Sequence, residues 1–269
     1  MRREIHPCFA ESCNSYGRIH LPVAPACNIQ CNYCLRKFSC VNESRPGVVA
    51  KVMDAKTAVR WYREMQAKVP RLVVAGIAGP GDALANWQAT SATLRQLRAV
   101  DEKVFFCLST NGLLLPHYAT ELVELGVNYL TVTLNAVDPR IGAQIYDHVD
   151  YEGIRYTGME GASLLLKQQL SGIKAMQQAG AIIKINCVAI EGVNLKHIPQ
   201  VARTVADLGC EVMNIIPMLP VAGSKFGDKQ EISKKKLQEL RQECGQYLRQ
   251  MCHCNRCRAD AVGCLHKIE

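Results

Sequence analysis

The feature that most constrains the fold is a regular alternation of short apolar segments and amphipathic segments along the chain. Short apolar runs predict buried strands, and apolar residues at helical spacing predict helices that cover a sheet. Six strands are predicted, at Arg18–Val23, Leu72–Ile77, Val104–Ser109, Tyr129–Leu134, Ile182–Ala189 and Glu211–Ile216. Six helices are predicted, at Ala55–Lys68, Asn86–Arg98, His117–Leu125, Gly161–Gln178, His197–Leu208 and Ile232–Met251. Strands that are each followed by a helix indicate an α/β fold with a parallel sheet and right-handed crossovers.

Six strand–helix units are fewer than the eight of a complete β/α barrel, so we expect an open or partial barrel. No internal repeat, low-complexity tract or clear linker divides the 269 residues, which predicts one domain. Within it we distinguish an amino-terminal extension (1–17), a partial (β/α)6 barrel (18–217) and a carboxy-terminal helix and tail (218–269). Ligands of such folds bind beyond the carboxyl ends of the strands.

Composition restricts the class of protein. The 14 cysteines among 269 residues are too few for a disulfide-rich scaffold. The first residues contain no apolar signal segment, and no apolar run is long enough to cross a bilayer. We therefore expect a cytoplasmic protein with no membrane contact, whose cysteines are metal ligands or small buried side chains. The formal net charge of +8 suits an acidic partner or an anionic cargo, but it is too diffuse to indicate nucleic-acid binding.

Three cysteines directly follow the first predicted strand. Cys27, Cys31 and Cys34 form a C-x3-C-x2-C pattern, with Tyr33 just before the last cysteine. Three thiolates on one loop can hold three irons of a [4Fe–4S] cluster and leave the fourth iron open. Zinc is the alternative, but a zinc site needs a fourth ligand close by, and the x3 spacing fits it poorly. The pattern resembles that of radical S-adenosylmethionine (SAM) enzymes, in which the open iron binds SAM and reductive cleavage gives a 5′-deoxyadenosyl radical.

Polar or small residues follow most of the other predicted strands. They lie in Gly79–Asp82, Ser109–Gly112, Thr133–Asn135, Ile190–Gly192 and Asn214–Pro217. Glycine at positions 79 and 81 would let the backbone approach a ligand, and Asp82 could accept from an ammonium group. Alone, such a Gly-Pro-Gly-Asp segment is usually only a turn. Several strands that end in polar residues, at the same edge of the sheet as the cysteine motif, together favour a ligand site.

Longer segments give a more specific signal than the cysteine pattern. They are His6–Cys8, Arg18–Cys27, Cys40–Gly47, Ala75–Leu84, Cys107–Leu113, Asn135–Pro139 and His253–Ala261. In these segments the chain resembles the NifB family, radical SAM proteins that build the carbide-containing core of the nitrogenase cofactor. The similarity covers nearly the whole chain. The chain resembles the short, stand-alone form of the family, and we expect it to have no carboxy-terminal carrier domain of the kind that some relatives have.

The resemblance implies a radical SAM barrel with cysteine-rich extensions and three [4Fe–4S] clusters. The triad would hold the SAM-binding cluster, and the other two clusters are substrates. One substrate cluster is expected on Cys8, Cys40 and Cys107, with a histidine such as His6, and the other on Cys254 and Cys257. Without the resemblance, Cys107 fits a buried core cysteine, and the tail pair fits a zinc half-site or a surface dithiol.

Two departures from the family concern these ligands. Relatives usually have a paired histidine before the triad, whereas this chain has Glu11–Tyr16 there. Either Cys13 replaces the imidazole or His6 serves instead. Cys264 is a spare ligand or, as we favour, a small hydrophobic side chain. We expect structural roles for the remaining cysteines, Cys187, Cys210, Cys244 and Cys252.

The resemblance also implies contacts with SAM. They fall on Tyr33, Glu43, Arg45, Gly81, Asp82, Ser109, Asn111, Thr133, Asn135 and Ile190. Positions 81 and 82 would face the methionine amine, 109 and 111 the methionine or ribose, and 133 and 135 the ribose. Tyr33 and Ile190 would contact the adenine. Glu43 could pair with Arg45 to order the ligand loop, although an exposed pair stabilises by only about 0–1 kcal/mol.

The implied function is fusion of two [4Fe–4S] clusters, with insertion of a SAM-derived carbide and a sulfide, into an [8Fe–9S–C] precursor. This lyase-type activity combines SAM methyl transfer with reductive SAM cleavage. It implies an iron–sulfur donor, a reductant such as ferredoxin or flavodoxin, and a downstream assembly scaffold or carrier. The alternatives are another radical SAM enzyme with auxiliary clusters, such as a peptide-modifying one, and a non-catalytic iron–sulfur carrier.

Overall fold

The computed structural model describes residues 4–10, 16–254 and 256–265. The strands are β1 (Gly17–His20), β2 (Ile29–Cys31), β3 (Leu72–Ile77), β4 (Phe105–Thr110), β5 (Val127–Thr133), β6 (Tyr146–Tyr151), β7 (Ile154–Thr157), β8 (Ile182–Ala189), β9 (Val212–Pro217), β10 (Arg249–Gln250) and β11 (Val262–Gly263). The α-helices are α1 (Ala55–Lys68), α2 (Trp87–Val100), α3 (Leu115–Glu124), α4 (Pro139–Ile145), α5 (Gly158–Gln178), α6 (Ile198–Asp207) and α7 (Lys234–Cys244). Within these described ranges, no helix has both the length and the apolar character that spanning a membrane requires.

The main sheet has eight strands in the order β10–β9–β8–β5–β4–β3–β1–β11. Neighbours from β10 to β1 are parallel, and β11 pairs with β1 in the antiparallel direction. Its six central strands are the six predicted from the apolar runs. The predicted α/β fold with a partial six-unit barrel is therefore confirmed. The sheet is open, because β10 and β11 stand at opposite ends of the strand order.

Side chains alternate between two faces along each strand, and the two faces differ in polarity. In β8, Ile183 and Ile185 belong to the main hydrophobic core, whereas Lys184 and Asn186 line an internal cavity. The same core joins outward-facing strand residues to helix residues, among them Ile19, Ala75, Phe106, Leu130, Ile215, Leu97 and Val201. Burial of each such side chain stabilises the fold by roughly 1.5–3 kcal/mol. The inner face has polar residues and cysteines together with a smaller apolar cluster that includes Tyr129 and Val212.

The last predicted helix was too long. Its helical part begins after Ser233, whose Oγ accepts from the backbone N–H of Lys236 at 3.2 Å. It ends before Gly245, a residue type common just past helix ends. The following Arg249–Gln250 segment pairs with β9 instead of continuing the helix.

A second sheet, in the order β2–β6–β7, was not predicted. Ile29 of β2 pairs with Val149 of β6, and β6 continues through a tight turn into β7. The turn places Glu152 and Gly153 at φ values of 52° and 78°, the left-handed region that a two-residue hairpin loop uses. Because β2 contains Cys31, this small sheet braces the cysteine loop.

The carboxy-terminal tail connects the two edges of the main sheet. β10 lies beside β9 at one edge, and β11 lies beside β1 at the other. The amino-terminal residues pack against this tail: a ring nitrogen of His253 is 2.9 Å from Pro7 O, and Arg249 donates to the carbonyl oxygens of Phe9 and Ala10. The described amino-terminal segment therefore packs against the tail that runs between the two edges of the sheet.

Candidate functional site

The three cysteines of the triad line one cavity of about 450 Å³. Cys31 ends β2, and the backbone N–H of Cys34 donates to Cys31 O at 3.0 Å in the turn that follows. Gln30 Nε2 donates to the carbonyl oxygens of Cys31 at 2.9 Å and Cys34 at 2.8 Å. These bonds hold the loop so that Cys27 and its two partners face the same space, as the ligands of one cluster must.

Burial opposes ionisation of the triad thiols. It raises the pKa of Cys27 to about 11 and also raises the pKa of Cys31 and of Cys34. The positive charge of the Arg36 guanidinium lowers each of these three pKa values and so offsets part of the effect of burial. A hydrogen bond from Arg36 to Pro25 O, at 2.7 Å, holds the guanidinium in place. Metal binding releases the thiol protons, and Arg36 then faces thiolates. Sequence reasoning missed Arg36, although a cation two residues after Cys34 was a usable signal.

Cys40 lines the same cavity as the triad. Its backbone N–H donates to Pro80 O at 2.7 Å, which ties the segment to the loop after β3. Burial, and then the nearby Cys34, raise the pKa of its thiol well above the usual value. The resemblance groups Cys40 with Cys8 and Cys107, but those two cysteines line a second cavity.

Gly81 is required by close packing against the cysteine loop. A Cβ at this position would lie 2.0 Å from the carbonyl oxygen of Ala26, a distance that no side chain can occupy. The Gly81 N–H donates to Ala24 O at 2.5 Å, and the Asp82 N–H donates to Ala26 O at 2.8 Å. The glycine therefore fixes the start of the triad loop in addition to lining the cavity.

Asp82 also lines the cavity, but its carboxylate is already occupied. It accepts from the backbone N–H groups of Leu84 at 2.9 Å and Ala85 at 3.1 Å. It also accepts from Thr110 Oγ1 at 2.9 Å and from the Asn111 N–H at 2.5 Å. Four donors match the roughly four lone-pair sites of a carboxylate. This arrangement favours a positioning role, in which Asp82 joins the end of β4 to the loop after β3.

The structure brings most of the predicted SAM contacts together. The positions that line the triad cavity are Tyr33, Glu43, Gly81, Asp82, Ser109, Asn111 and Thr133. Arg45, Asn135 and Ile190 are not among its lining residues. Arg45 is exposed and donates to Arg256 O at 3.1 Å. Glu43 points inward instead, so the ion pair considered between these two residues does not form.

Asn135 makes hydrogen bonds within the protein, beside the triad cavity. It is completely buried, and its Nδ2 donates to the Tyr33 hydroxyl at 2.8 Å. Its Oδ1 accepts from the Val188 N–H at 2.8 Å. The Ile190 N–H donates to Asn194 Oδ1 at 2.8 Å, in the same buried network. In the described structure, Asn135 therefore positions Tyr33 behind the cysteine loop.

A second cavity of about 590 Å³ adjoins the first. Four predicted cluster ligands line it, namely Cys8, Cys107, Cys254 and Cys257. The amino-terminal segment contributes the first, the inner face of β4 the second and the tail the other two. Because β4 continues to Thr110, Cys107 lies within the strand and not at its end. The inner face, the amino-terminal segment and the tail thus bring four thiols to one space.

The two cavities share a wall of three residues, Asn42, Glu43 and Ser109. Ser109 Oγ donates to Glu43 Oε2 at 3.1 Å, and Asn186 Nδ2 donates to Glu43 Oε1 at 2.9 Å. Burial raises the pKa of the Glu43 carboxyl to about 7. The sequence resemblance named Glu43 for SAM, whereas the structure also exposes it to the second cavity.

His6 lines the second cavity and is buried against Phe9 and Tyr129, at ring-centroid distances of 4.7 Å to each. Its Nδ1 accepts from the Cys8 N–H at 3.0 Å. Burial lowers the pKa of the imidazole well below the usual value, so the ring is neutral. Since Nδ1 accepts, the ring proton is on Nε2. For Nε2 to bind a metal, this proton must move to Nδ1, and the hydrogen bond from the Cys8 N–H must then break.

The remaining cysteines divide by location. Cys187, Cys210 and Cys244 are buried in the main hydrophobic core, and Cys252 is exposed. Cys264 is half-buried in the tail near Arg18. The alternative histidine replacement, Cys13, lies outside the described residues.

The donor set of the triad cavity matches the ligand set of a cluster. The three thiols of the C-x3-C-x2-C pattern line one space, and in a [4Fe–4S] cluster each thiolate binds a different iron. Among the residues that the structure describes, no group of three or more His, Cys, Asp or Glu side chains is placed to hold one metal ion.

A family model of the radical SAM superfamily matches residues 21–205, which include the triad. The chain belongs to the radical SAM superfamily. Solved structures of similar fold include Streptococcus suis SuiB bound to S-adenosylmethionine, with a TM-score of 0.62, 15% identity and coverage of 88% of this chain and 50% of that chain. Another is native anSMEcpe with bound AdoMet, with a TM-score of 0.58, 15% identity and coverage of 84% and 58%. At such identities the likeness concerns the fold alone.

Curated relatives of this radical SAM protein are much closer in sequence. The FeMo cofactor biosynthesis protein NifB of Chlorobaculum tepidum is 44% identical over 98% of this chain and 62% of that protein. NifB of Klebsiella pneumoniae is 43% identical, over 97% of the chain and 57% of the relative. NifB of Azotobacter vinelandii is 41% identical, over 97% and 53%. The resemblance to NifB is therefore confirmed. The chain spans little more than half the length of these relatives.

Proposed function

We propose that this protein uses SAM to fuse two [4Fe–4S] clusters into a carbide-containing precursor of the nitrogenase cofactor. The observation that supports it most is the pair of adjoining, cysteine-lined cavities with one shared wall. One cavity has a SAM-enzyme triad, and the other has four thiols to receive cluster substrates. The relatives named FeMo cofactor biosynthesis protein NifB support the same chemistry.

In this proposal Cys27, Cys31 and Cys34 hold the resident [4Fe–4S] cluster. When bound, that cluster supplies a site for SAM and the electron that cleaves its sulfonium. The chain binds and orients SAM through the backbone at Gly81 and the side chains that line the cavity with it. Arg36 balances thiolate charge, and the buried walls exclude water. The protein's contribution is thus positioning and protection.

The second cavity is the proposed substrate site. The cysteines that line it would hold the cluster substrates and keep them beside the SAM cavity. Cys40 lines the triad cavity, and Asn42 and Glu43, which follow it in the chain, belong to the wall that the two cavities share. Cys40 is therefore close enough to the second cavity to serve as a ligand for a cluster in either one. The reaction requires an iron–sulfur donor, a reductant such as ferredoxin or flavodoxin, and an acceptor scaffold or carrier for the product.

Labelled SAM tests the proposal. Protein reconstituted with iron and sulfide is given a strong reductant and SAM with radioactive carbon in its methyl group. We expect non-exchangeable label in the extracted iron–sulfur product, together with S-adenosylhomocysteine and 5′-deoxyadenosine. Both nucleosides are expected because one SAM is used for methyl transfer and another for hydrogen abstraction.

Variants and controls separate the alternatives. Replacing all three triad cysteines with alanine should abolish 5′-deoxyadenosine, and Cys8→Ala should reduce label in the product. A peptide-modifying enzyme would place no label in a cluster, and an iron–sulfur carrier would form neither nucleoside. Formation of both nucleosides with an unlabelled cluster would overturn carbide insertion.

A further inference from the structure

We propose that Lys184 and Arg18 form a cationic clamp that holds the anionic cluster substrate in the second cavity and sets its reduction potential. The inference rests on the proposed function, because it assigns that cavity to an iron–sulfur substrate. Neither side chain was singled out in the sequence. Both are buried cations on the inner face of the sheet, on strands separated by β5, β4 and β3.

Lys184 lies on β8 between Thr131 of β5 and Val212 of β9. It is only 6% exposed and lines the cavity. In the described part of the chain, its ammonium makes no ion pair with a carboxylate. Its Nζ lies 5.4 Å from the centroid of the Phe9 ring. A buried ammonium without a counterion costs several kcal/mol, so its retention needs an explanation.

The groups that face Lys184 are thiols and one carboxyl. Its pKa is lowered by burial, but the negative charges of Cys8, Glu43, Cys254 and Cys107 act against burial and leave it raised. These groups are therefore placed to balance the positive charge of the lysine once the thiols ionise on binding a cluster. Three of these four neighbours are predicted cluster ligands.

Arg18 approaches the cavity from β1 and is fully buried. It donates to the Gly263 carbonyl oxygen and to Cys257 Sγ. Its Nε has no hydrogen-bond partner among the residues that the structure describes. Arg18 thus joins the tail to β1 and places a permanent positive charge beside a proposed ligand.

Charge balance gives the two cations a common role. The first oxidised cubane to enter the cavity can bind all four thiolates and then has a net charge of about −2, which the two buried cations would offset. Without a cluster, Glu43 is the one carboxyl named among the groups that face Lys184 in the described part of the chain, so the two buried positive charges are not balanced. The clamp should therefore destabilise the empty protein and stabilise the loaded one. A purely structural lysine would not have these opposite effects.

The test uses the full-length chain with the three triad cysteines replaced by alanine, so that iron reports the second cavity. Lys184→Met removes the charge at similar volume, Lys184→Arg restores it, and the exposed Lys174→Met is the matched control. Iron retention against a chelator and the midpoint potential are measured on reconstituted protein. Thermal unfolding is measured on metal-free protein.

We expect Lys184→Met to lose iron several-fold faster and to shift the potential to a more negative value, because a nearby positive charge favours the reduced cluster. The metal-free variant should melt at a higher temperature than its parent. Lys184→Arg should restore iron retention and potential, and the control should match the parent in every measurement.

The outcomes separate the two proposals. If the parent of this series binds no iron, the cluster site itself is wrong. If it binds iron and Lys184→Met leaves retention and potential unchanged, the clamp is wrong. A lower melting temperature of metal-free Lys184→Met, restored by arginine, would identify a structural lysine and likewise overturn the clamp.

Discussion

At the scale of single residues, Glu43 joins the two cavities. Ser109 of β4 and Asn186 of β8 donate to its carboxylate from the two sides of β5, and burial raises its pKa from the ordinary 4.5 to about 7. The folded protein therefore binds this proton more tightly than the unfolded chain does. Between these two pH values stability must fall as pH rises, because the folded state holds more protons there.

For metal-free protein we expect this loss to be on the order of 3 kcal/mol between about pH 5 and about pH 8. Glu43→Gln should remove most of that dependence, since glutamine does not titrate. Denaturant unfolding at both pH values measures it, with the exposed Glu64→Gln on α1 as control. Parallel pH profiles of parent and Glu43→Gln would show that this carboxyl has an ordinary pKa.

Some residues of the candidate site could be predicted from the sequence, and others could not. The triad and Gly81 were predictable because a cysteine spacing and a glycine turn are local patterns. Lys184 and Arg18 appear in the sequence only as cations within apolar strand segments. Their meaning depends on strand register, which places them on the inner face across from each other. The hydrogen bond from Asn135 to Tyr33 was not predictable for the same reason, since the two residues are distant in sequence.

At the scale of elements, the triad loop depends on its contact with the turn after β3. We expect Gly81→Ala to displace that loop, because the added Cβ would lie 2.0 Å from Ala26 O and the neighbouring atoms are backbone. Stability should fall by about 1–3 kcal/mol, as in overpacked sites, and the triad should retain less iron after reconstitution. Thermal unfolding and iron analysis measure the two effects.

Gly245→Ala is the matched control for Gly81→Ala. Gly245 also has a φ outside the left-handed region, −61°, but it follows the last turn of α7 and is exposed. It should tolerate alanine within about 0.5 kcal/mol. If the two variants retain equal iron and melt alike, the loop does not depend on this close approach.

The elements themselves were predictable to different degrees. The six central strands contain enough consecutive apolar residues to be recognised, and their helices have a clear helical period. β10 and β11 contain two residues each, too few for any pattern. β6 has no regular alternation, since Asp147 and His148 are both polar. It pairs with β2, whose three residues are part of the cysteine loop. Only the folded arrangement of the loop reveals that sheet.

At the scale of the whole molecule, the tail completes both the fold and the second cavity. It links the β9 edge to the β1 edge, and two of its cysteines, Cys254 and Cys257, line the second cavity between those attachments. The amino-terminal segment packs against it and supplies Cys8. Ends that are distant in sequence thus form the proposed substrate site together, and no local pattern could show this.

Replacing Cys254 and Cys257 with alanine together tests this arrangement. We expect the reconstituted double variant to hold about four fewer irons than the parent, because one cubane loses its ligands. Formation of the carbide-containing product should stop, whereas 5′-deoxyadenosine should still form at the separate triad cavity. Iron analysis, EPR of the reduced protein and nucleoside chromatography make the three measurements. Cys252→Ala is the matched control, since this cysteine lies in the same tail but is exposed. Product formation at the parental rate in the double variant would show that the tail pair is structural, and would move the substrate site away from the tail.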